Sequence, residues 1–551
     1  MCRAAGDCKM QIMLRLLGLT VFTCALLCAC NLGSIPPDVN SAPSNAPNLR
    51  LDLTSESASP TPSPALENTV APVESTPSYP YACGIDDGAS SARQVAARVD
   101  IDYAQKAASV DQLLSFTNRE DASLQSIVLD IQANQWDGSF VLNELLVDES
   151  PAYHELDSNR LEIPLAIALP PGCAIEIEIR FRLLPDVIRD GMRAFRGFFG
   201  YSPRQLNLAH FLPNVAARIN KEWRIHSPAN FGEQIVYDVA DWQVEVHVQD
   251  ATEDLKLAAP GEIKELEPGL WQVELRGSRD FALSLSEKFQ LLEGGTASGV
   301  GVAVYTLRDS QAGVNINGKN SASHVLTITI QALELFERLF GKYPHDRLVV
   351  VQGDFPDGME FTGLVYVGSA WFAQFDGTVY NYLTLVSVHE IAHQWWYALV
   401  GSDAALHPWL DEALATYSEY LFIESHYPAD KNWWWTFRVA GYFPQGDVDS
   451  KVYEFNTFRE YINAIYLRGA QMLHNLRQDM GDEQFFQLLR TYAEIGTGQV
   501  AYPELFWGLL STEQAPLTIE TRNEFLRDPG VNSLFALVEG AGGTQVGSSS
   551  D

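Results

Sequence analysis

Two histidines four apart, with a glutamate beside the first, stand in "VHEIAHQWW" at residues 388–396. On a helix, positions four apart share one face with Cβ atoms about 5–6 Å apart, close enough to hold one metal ion. His389 and His393 therefore make a candidate zinc pair, and Glu390 projects toward the metal's open position as a general base. A catalytic zinc takes three protein ligands and leaves one place for water, so a third ligand must come from elsewhere. Glu412 opens a second helical stretch, "WLDEALATYSEY", after the break "VGSDAALHP". Gly401 there suits a helix C-cap and Pro408 a helix start. Two antiparallel helices joined this way bring Glu412 against both histidines. The competing reading, a core helix with an incidental histidine pair, leaves Glu412 at this spacing to chance.

"HEIAH", eighteen intervening residues and then the glutamate of "WLDEALATYSEY" resemble the aminopeptidase N family of zinc metallopeptidases. Upstream, "PDGMEFTGLVYVG" corresponds to that family's Gly-Ala-Met-Glu-Asn loop, matching at Gly358, Met359 and Glu360 and departing at Asp357 and Phe361. Downstream, "AIYLRGAQMLHNL" supplies Tyr466 in the family's Tyr-x-Lys-Gly-Ala context, with Arg468 for the lysine. "HFLPN", "WRIHSP" and "FGEQIVYDVADWQVEVHV" resemble its amino-terminal β-domain. The resemblance implies a thermolysin-like catalytic domain and one zinc per chain on His389, His393 and Glu412. It implies that Glu390 is the catalytic base and that Tyr466 donates to the oxyanion. Gly358, Met359 and Glu360 would contact the substrate, with Glu360 gripping its free α-amine. The expected activity is removal of N-terminal residues from peptides. Larger relatives carry a long helical C-terminal domain over the cleft, and the chain after Tyr466 is too short for one. An open-cleft endopeptidase or dipeptide-releasing peptidase is therefore the first alternative, and an inactive peptide-binding lipoprotein the second.

Glu419 shares a helix face with Glu412, leaving open a hydrogen bond to a zinc histidine or a surface salt bridge. Trp395, Trp396 and the run "NWWWTF" suit core or cleft wall, and His407, His426 and His474 lack paired spacing.

The chain opens with Arg3, Lys9 and Arg15, then an apolar run from Leu16 to Cys28 that is short for a membrane span and reads as a signal-peptide core. "LCAC" resembles a bacterial lipobox, which makes Cys30 the expected lipid anchor and the location extracytoplasmic; Met10 and Met13 are alternative starts. Residues 31–80 hold ten of the chain's 28 prolines among Ser, Thr, Ala and Asn, a composition suited to a tether because it cannot bury enough surface to fold. A formal charge of −33 opposes nucleic acid binding. Cys83 and Cys173 both fall in the β-rich part, where an exported protein permits a disulfide, though spacing cannot settle geometry. Oligomeric state and the preferred N-terminal residue are not legible.

From about 83 to 310, segments such as "AIEIEIRFRLL", "WQVEVHVQ" and "GVAVYTL" alternate or run apolar with β-branched residues between turns, which predicts a saddle or sandwich. "ASHVLTITIQALELFERLFGKYP" then has helical period and stops at Pro344, "DRLVVVQG" reads as a strand, and "GMEFTGLVYVG" as an edge strand. Beyond Tyr380 the pattern is helical to about 538. The expected fold is α+β: signal 1–29, tether 30–82, β-rich domain 83–310, thermolysin-like catalytic domain 311–538 and a flexible tail 539–551.

Overall fold

The computed structural model describes residues 81–84, 93–189, 197–229, 231–316 and 318–529. The expected signal peptide, Cys30, nearly all of the tether and the tail lie outside these residues. No helix among the described residues is long and apolar enough to cross a membrane.

The amino-terminal half is β-rich, as its alternation predicts. Its largest sheet has the strand order Glu262–Glu267, Leu270–Ser278, Ala240–Val248, Arg93–Asp102, Ala107–Thr117, Cys173–Leu183, Phe140–Val147 and Ser150–Pro151. Along the central strands every second residue is buried, the two-residue period of a sheet with one wet face. Cys83 and Cys173, adjacent in register, are joined by a disulfide, which resolves the alternative left open by the sequence.

A second sheet of five strands runs Phe289–Gly295, Gly301–Leu307, Arg347–Gly353, Leu364–Gly368 and Gly358–Phe361. Its three middle strands are parallel and read as apolar runs because both faces are covered. Val302, Val304, Val350, Val365 and Val367 join the helical core. Ala303, Tyr305, Val349, Val351 and Tyr366 join the β core. The strands Phe289–Gly295 and Gly301–Leu307, which precede the expected boundary at 310, pair into this second sheet; alternation cannot tell which sheet a strand joins. "GMEFTGLVYVG" is two strands, turned at Gly363 with φ 74°, and the edge is Gly358–Phe361.

Helices cover the other face. Ser321–Phe340 starts under the Asn320 side chain, which accepts from Ser323 N at 2.8 Å, and ends at Gly341 with φ 115°. Tyr382–Ala392 is capped by Asn381. Trp409–His426 follows Pro408 and carries Asp411 and Glu412 in its first turn, where the helix dipole favours anions.

Past His393 the helix loosens into a π-helical segment, Gln394–Leu399, with non-helical angles at Trp396 and Tyr397. The carbonyls released there meet Arg279, a fully buried guanidinium at the end of a β-domain strand. Arg279 Nε donates to Tyr397 O at 2.7 Å and Nη1 to Tyr237 O at 2.7 Å. Its Nη2 donates to Gln499 O at 2.7 Å and Leu399 O at 3.2 Å. Gly401 is required beside it, since a Cβ there would lie 2.4 Å from Arg279 Cζ. Arg279→Leu strands several buried carbonyls, and we expect a loss of at least about 3 kcal/mol in urea-melt stability. A loss below about 1 kcal/mol would show that water replaces the guanidinium.

Candidate metal centre and active site

The two helices run antiparallel, as expected, and their contacts pair residue for residue: His393 with Asp411, and His389 with both Glu412 and Glu419. His389 Nδ1 donates to Glu419 Oε1 at 3.0 Å, and His393 Nδ1 donates to Asp411 Oδ1 at 2.6 Å. With each Nδ1 occupied, the Nε2 atoms are the ones turned to the pocket. There, Glu412 Oε2 lies 3.1 Å from His389 Nε2 and 3.6 Å from His393 Nε2. Two zinc bonds of about 2.1 Å at a tetrahedral angle place ligand atoms about 3.4 Å apart, so these residues fit a zinc ion.

Unpartnered polar atoms support the same conclusion. Glu390 Oε2 and Glu360 Oε1 are buried without a hydrogen-bond partner, and Glu360 Oε1 lies 4.0 Å from His393 Nε2. Glu360, Glu390, Asp411 and Glu412 are all buried, and Glu233 is half-buried beside them. Burial, then the charge of Glu360, pushes the Glu390 carboxyl far up. Burial and the charges of Glu360, Asp411 and Glu412 do the same to Glu233, which is hydrogen-bonded to Glu360. Burial raises Asp411 to about 7 against the pull of His393. Burial would also raise Glu412, but hydrogen bonds from His389 and His393 hold it well below the usual range. Burial lowers His389, yet Glu412 and Glu419 overcome it and hold the imidazole at about 9. Without a cation this pocket must retain protons; a divalent cation can take their place.

The edge strand Gly358–Phe361 forms one wall. Gly358 backs onto the base: a Cβ there would fall 2.1 Å from Glu390 Oε1. Glu360, two residues on, faces the same side. Met359, expected as a third substrate contact, packs instead into the β core, because the strand's two-residue period turns it the other way. Tyr466 stands on the opposite wall, its ring stacked on His389 at 5.7 Å and its hydroxyl donating to Glu412 Oε1. Burial, then the Glu412 charge, keeps the phenol protonated far above its ordinary range, as a donor must be.

Glu419 resolves toward the metal histidine. Its Oε1 accepts from His389 and from Arg438 Nη2 at 3.3 Å, and its Oε2 accepts from Trp434 Nε1 at 3.1 Å and Arg438 Nε at 3.0 Å. Trp395 and Trp396 are core residues. His474 lies edge-on to Tyr420 and tilted against Trp435, and His426 bonds Phe422 O, away from the ligand cluster. The sequence reading missed Asp411, Glu233, Arg438 and Trp434. Asp411 had a signal, an acid adjoining the ligand Glu412; Glu233 lies far away in sequence and had none.

Comparison with known proteins gives the same assignment. Residues 324–522 match the Peptidase family M1 domain. Aminopeptidase M1-B of Oryza sativa subsp. japonica is 28% identical over 267 residues, 46% of this chain and 30% of that protein. Aminopeptidase N of Lactobacillus delbrueckii subsp. lactis is 29% identical over 265 residues, 44% of this chain and 30% of that protein. The chain thus spans less than a third of the length of these relatives. The crystal structure of an M1 zinc metallopeptidase from Deinococcus radiodurans superposes with a TM-score of 0.58 at 20% identity, covering 78% of this chain and 93% of that one. A mutant of that enzyme bound to a Tyr-Ser-Ala substrate superposes with a TM-score of 0.57 at 19% identity, covering 79% of this chain and 93% of that one.

Asp411→Ala and Glu419→Ala each free one imidazole to turn, and we expect a 10- to 100-fold loss of divalent-metal affinity in chelator competition. Unchanged affinity in both would mean that the histidines are oriented by packing alone. Ligand geometry, family match and fold agree: residues 324–522 carry a Peptidase family M1 domain with the ligand set of a zinc metallopeptidase.

Proposed function

We propose that the chain is a zinc-dependent aminopeptidase that removes N-terminal residues from peptides. The observation that carries this reading is the pairing of Glu233 with Glu360 beside the ligand cluster. Two neighbouring carboxyl groups in a half-buried pocket form a natural seat for an ammonium, which brings the positive charge the pair lacks. An α-amine held there places the first peptide bond next to Glu390 and fixes the cut one residue from the end.

Zinc held by His389, His393 and Glu412 would supply a Lewis acid that polarises the scissile carbonyl and makes water acidic enough to attack. Glu390 accepts the proton of the attacking water and returns it to the leaving amine. Gly358 lets the edge strand pass close enough to hold that carboxylate in the cleft. Tyr466, whose hydroxyl points at Glu412 from the far wall, donates to the oxyanion that develops in the transition state. Peptide substrates agree with the Tyr-Ser-Ala complex of the structural neighbour.

We also propose an extracytoplasmic location, with the chain lipid-anchored at Cys30. The lipobox-like "LCAC" and the proline-rich stretch behind it support this, and the Cys83–Cys173 disulfide suits an oxidising compartment.

Glu390→Gln should bind zinc at about one per chain by elemental analysis yet lose nearly all turnover; retained turnover removes Glu390 as the base. Free-amine peptides should be cleaved at least about tenfold better in kcat/KM than N-acetylated ones, a preference that Glu360→Ala erodes. Equal rates would make the enzyme an endopeptidase. Expressed in a lipoprotein-processing bacterium, Cys30→Ala should abolish fatty-acid labelling of the precursor, and labelling that persists would contradict the anchor.

A further inference from the structure

One carboxylate at the head of the edge strand has no part in the reaction described above. Asp357 sits immediately before Gly358 with φ 63°, in the left-handed region, and its backbone is held there by Gly368 N donating to Asp357 O at 2.7 Å. Its side chain is exposed to water, yet protein surrounds it closely enough for desolvation to raise its carboxyl above the ordinary value. No hydrogen bond or salt bridge among the described residues engages that carboxylate, so it does not serve as the side-chain cap of its own turn. Arg438 is the cation whose field reaches it, and the Nε–Nη2 edge of that guanidinium is held by Glu419.

The order of residues along the edge strand orients a bound peptide. Glu360 marks the amine, and Gly358, against Glu390, marks the scissile bond. The peptide therefore runs antiparallel to the strand, and its leaving half passes Asp357. Three strand residues span roughly 10 Å, the reach from an α-amine across one residue to the next side chain. Asp357 thus belongs to the leaving side and is not a further anion for the amine.

We propose that Asp357 is a specificity determinant for the residue following the cut, selecting peptides with Lys or Arg in second position. The cut site rests on the aminopeptidase reading; the preference after the cut does not require the terminus to be free. Asp357→Asn keeps a residue that tolerates the left-handed conformation, so the fold is preserved while the charge is removed.

The test uses zinc-loaded, full-length protein and peptides Ala-X-Ala-Ala with X as Lys, Arg, Gln or Glu, each with a free and an acetylated terminus, with products mapped by mass spectrometry. We expect Lys and Arg to exceed Gln about fivefold in kcat/KM, with Glu poorest and the spread shrinking in high salt. In Asp357→Asn the Lys-to-Gln ratio should fall to about one, and in Asp357→Lys the preference should turn toward Glu. A wild-type ratio near one, or a ratio that survives in Asp357→Asn, overturns the proposal. Equal cleavage of free and acetylated peptides sinks the aminopeptidase reading alone, since the ratio after the cut still judges Asp357. Calorimetric binding of the same peptides to Glu390→Gln gives that ratio without turnover.

Discussion

The hydrogen bonds that Glu419 and Asp411 accept from the Nδ1 atoms of His389 and His393 decide which ring nitrogens face the pocket. An imidazole free to rotate presents either nitrogen, and a ligand cluster needs one. Much of the catalytic half serves this constraint. Arg438 and Trp434 occupy the remaining lone pairs of Glu419, so that carboxylate is held on both sides. The first turn of Trp409–His426 delivers a ligand and a brace from adjacent residues, Glu412 and Asp411. Arg279 ties off the carbonyls where the histidine helix unwinds, so the helix can end one residue past its metal face without leaving buried groups unpaired.

The same packing collects carboxyl groups where water is scarce. Glu233, Glu360, Glu390, Asp411 and Glu412 surround one small volume, and burial, then the charges of their neighbours, leaves Glu233 and Glu390 holding protons well above the ordinary carboxylate range. Such a site is unfavourable by itself. Its anions become useful when a divalent cation and a substrate ammonium occupy it, because each relieves part of the repulsion. Stability given up in the free pocket is thereby tied to ligand binding.

The metal centre was legible because its ligands follow helical arithmetic: four positions from His389 to His393, then a break that Gly401 and Pro408 punctuate. Glu360 was legible through the motif around it; Met359 was assigned to the site by the same motif, and the two-residue period of the strand turns its side chain into the β core. Glu233 and Arg279 were not legible. Each reaches the site from the β-rich half through tertiary packing, which no local pattern encodes. The strands at 289–307 show the same limit: alternation identifies a strand and says nothing about its partner. The pairing of Cys83 with Cys173 depended on registry between Ala82–Cys83 and Cys173–Leu183, which only the assembled sheet reveals.

An anomalous-difference map from crystals soaked in zinc, collected on either side of the zinc edge, tests the account at its centre. A second trio, Glu360, His393 and Asp411, also lies within metal-binding reach, and it would use the brace of His393 as a ligand. The account predicts one peak about 2.1 Å from His389 Nε2, His393 Nε2 and a Glu412 oxygen, with both Nδ1 hydrogen bonds intact. A peak between Glu360, His393 and Asp411, or none near the histidine pair, would contradict it.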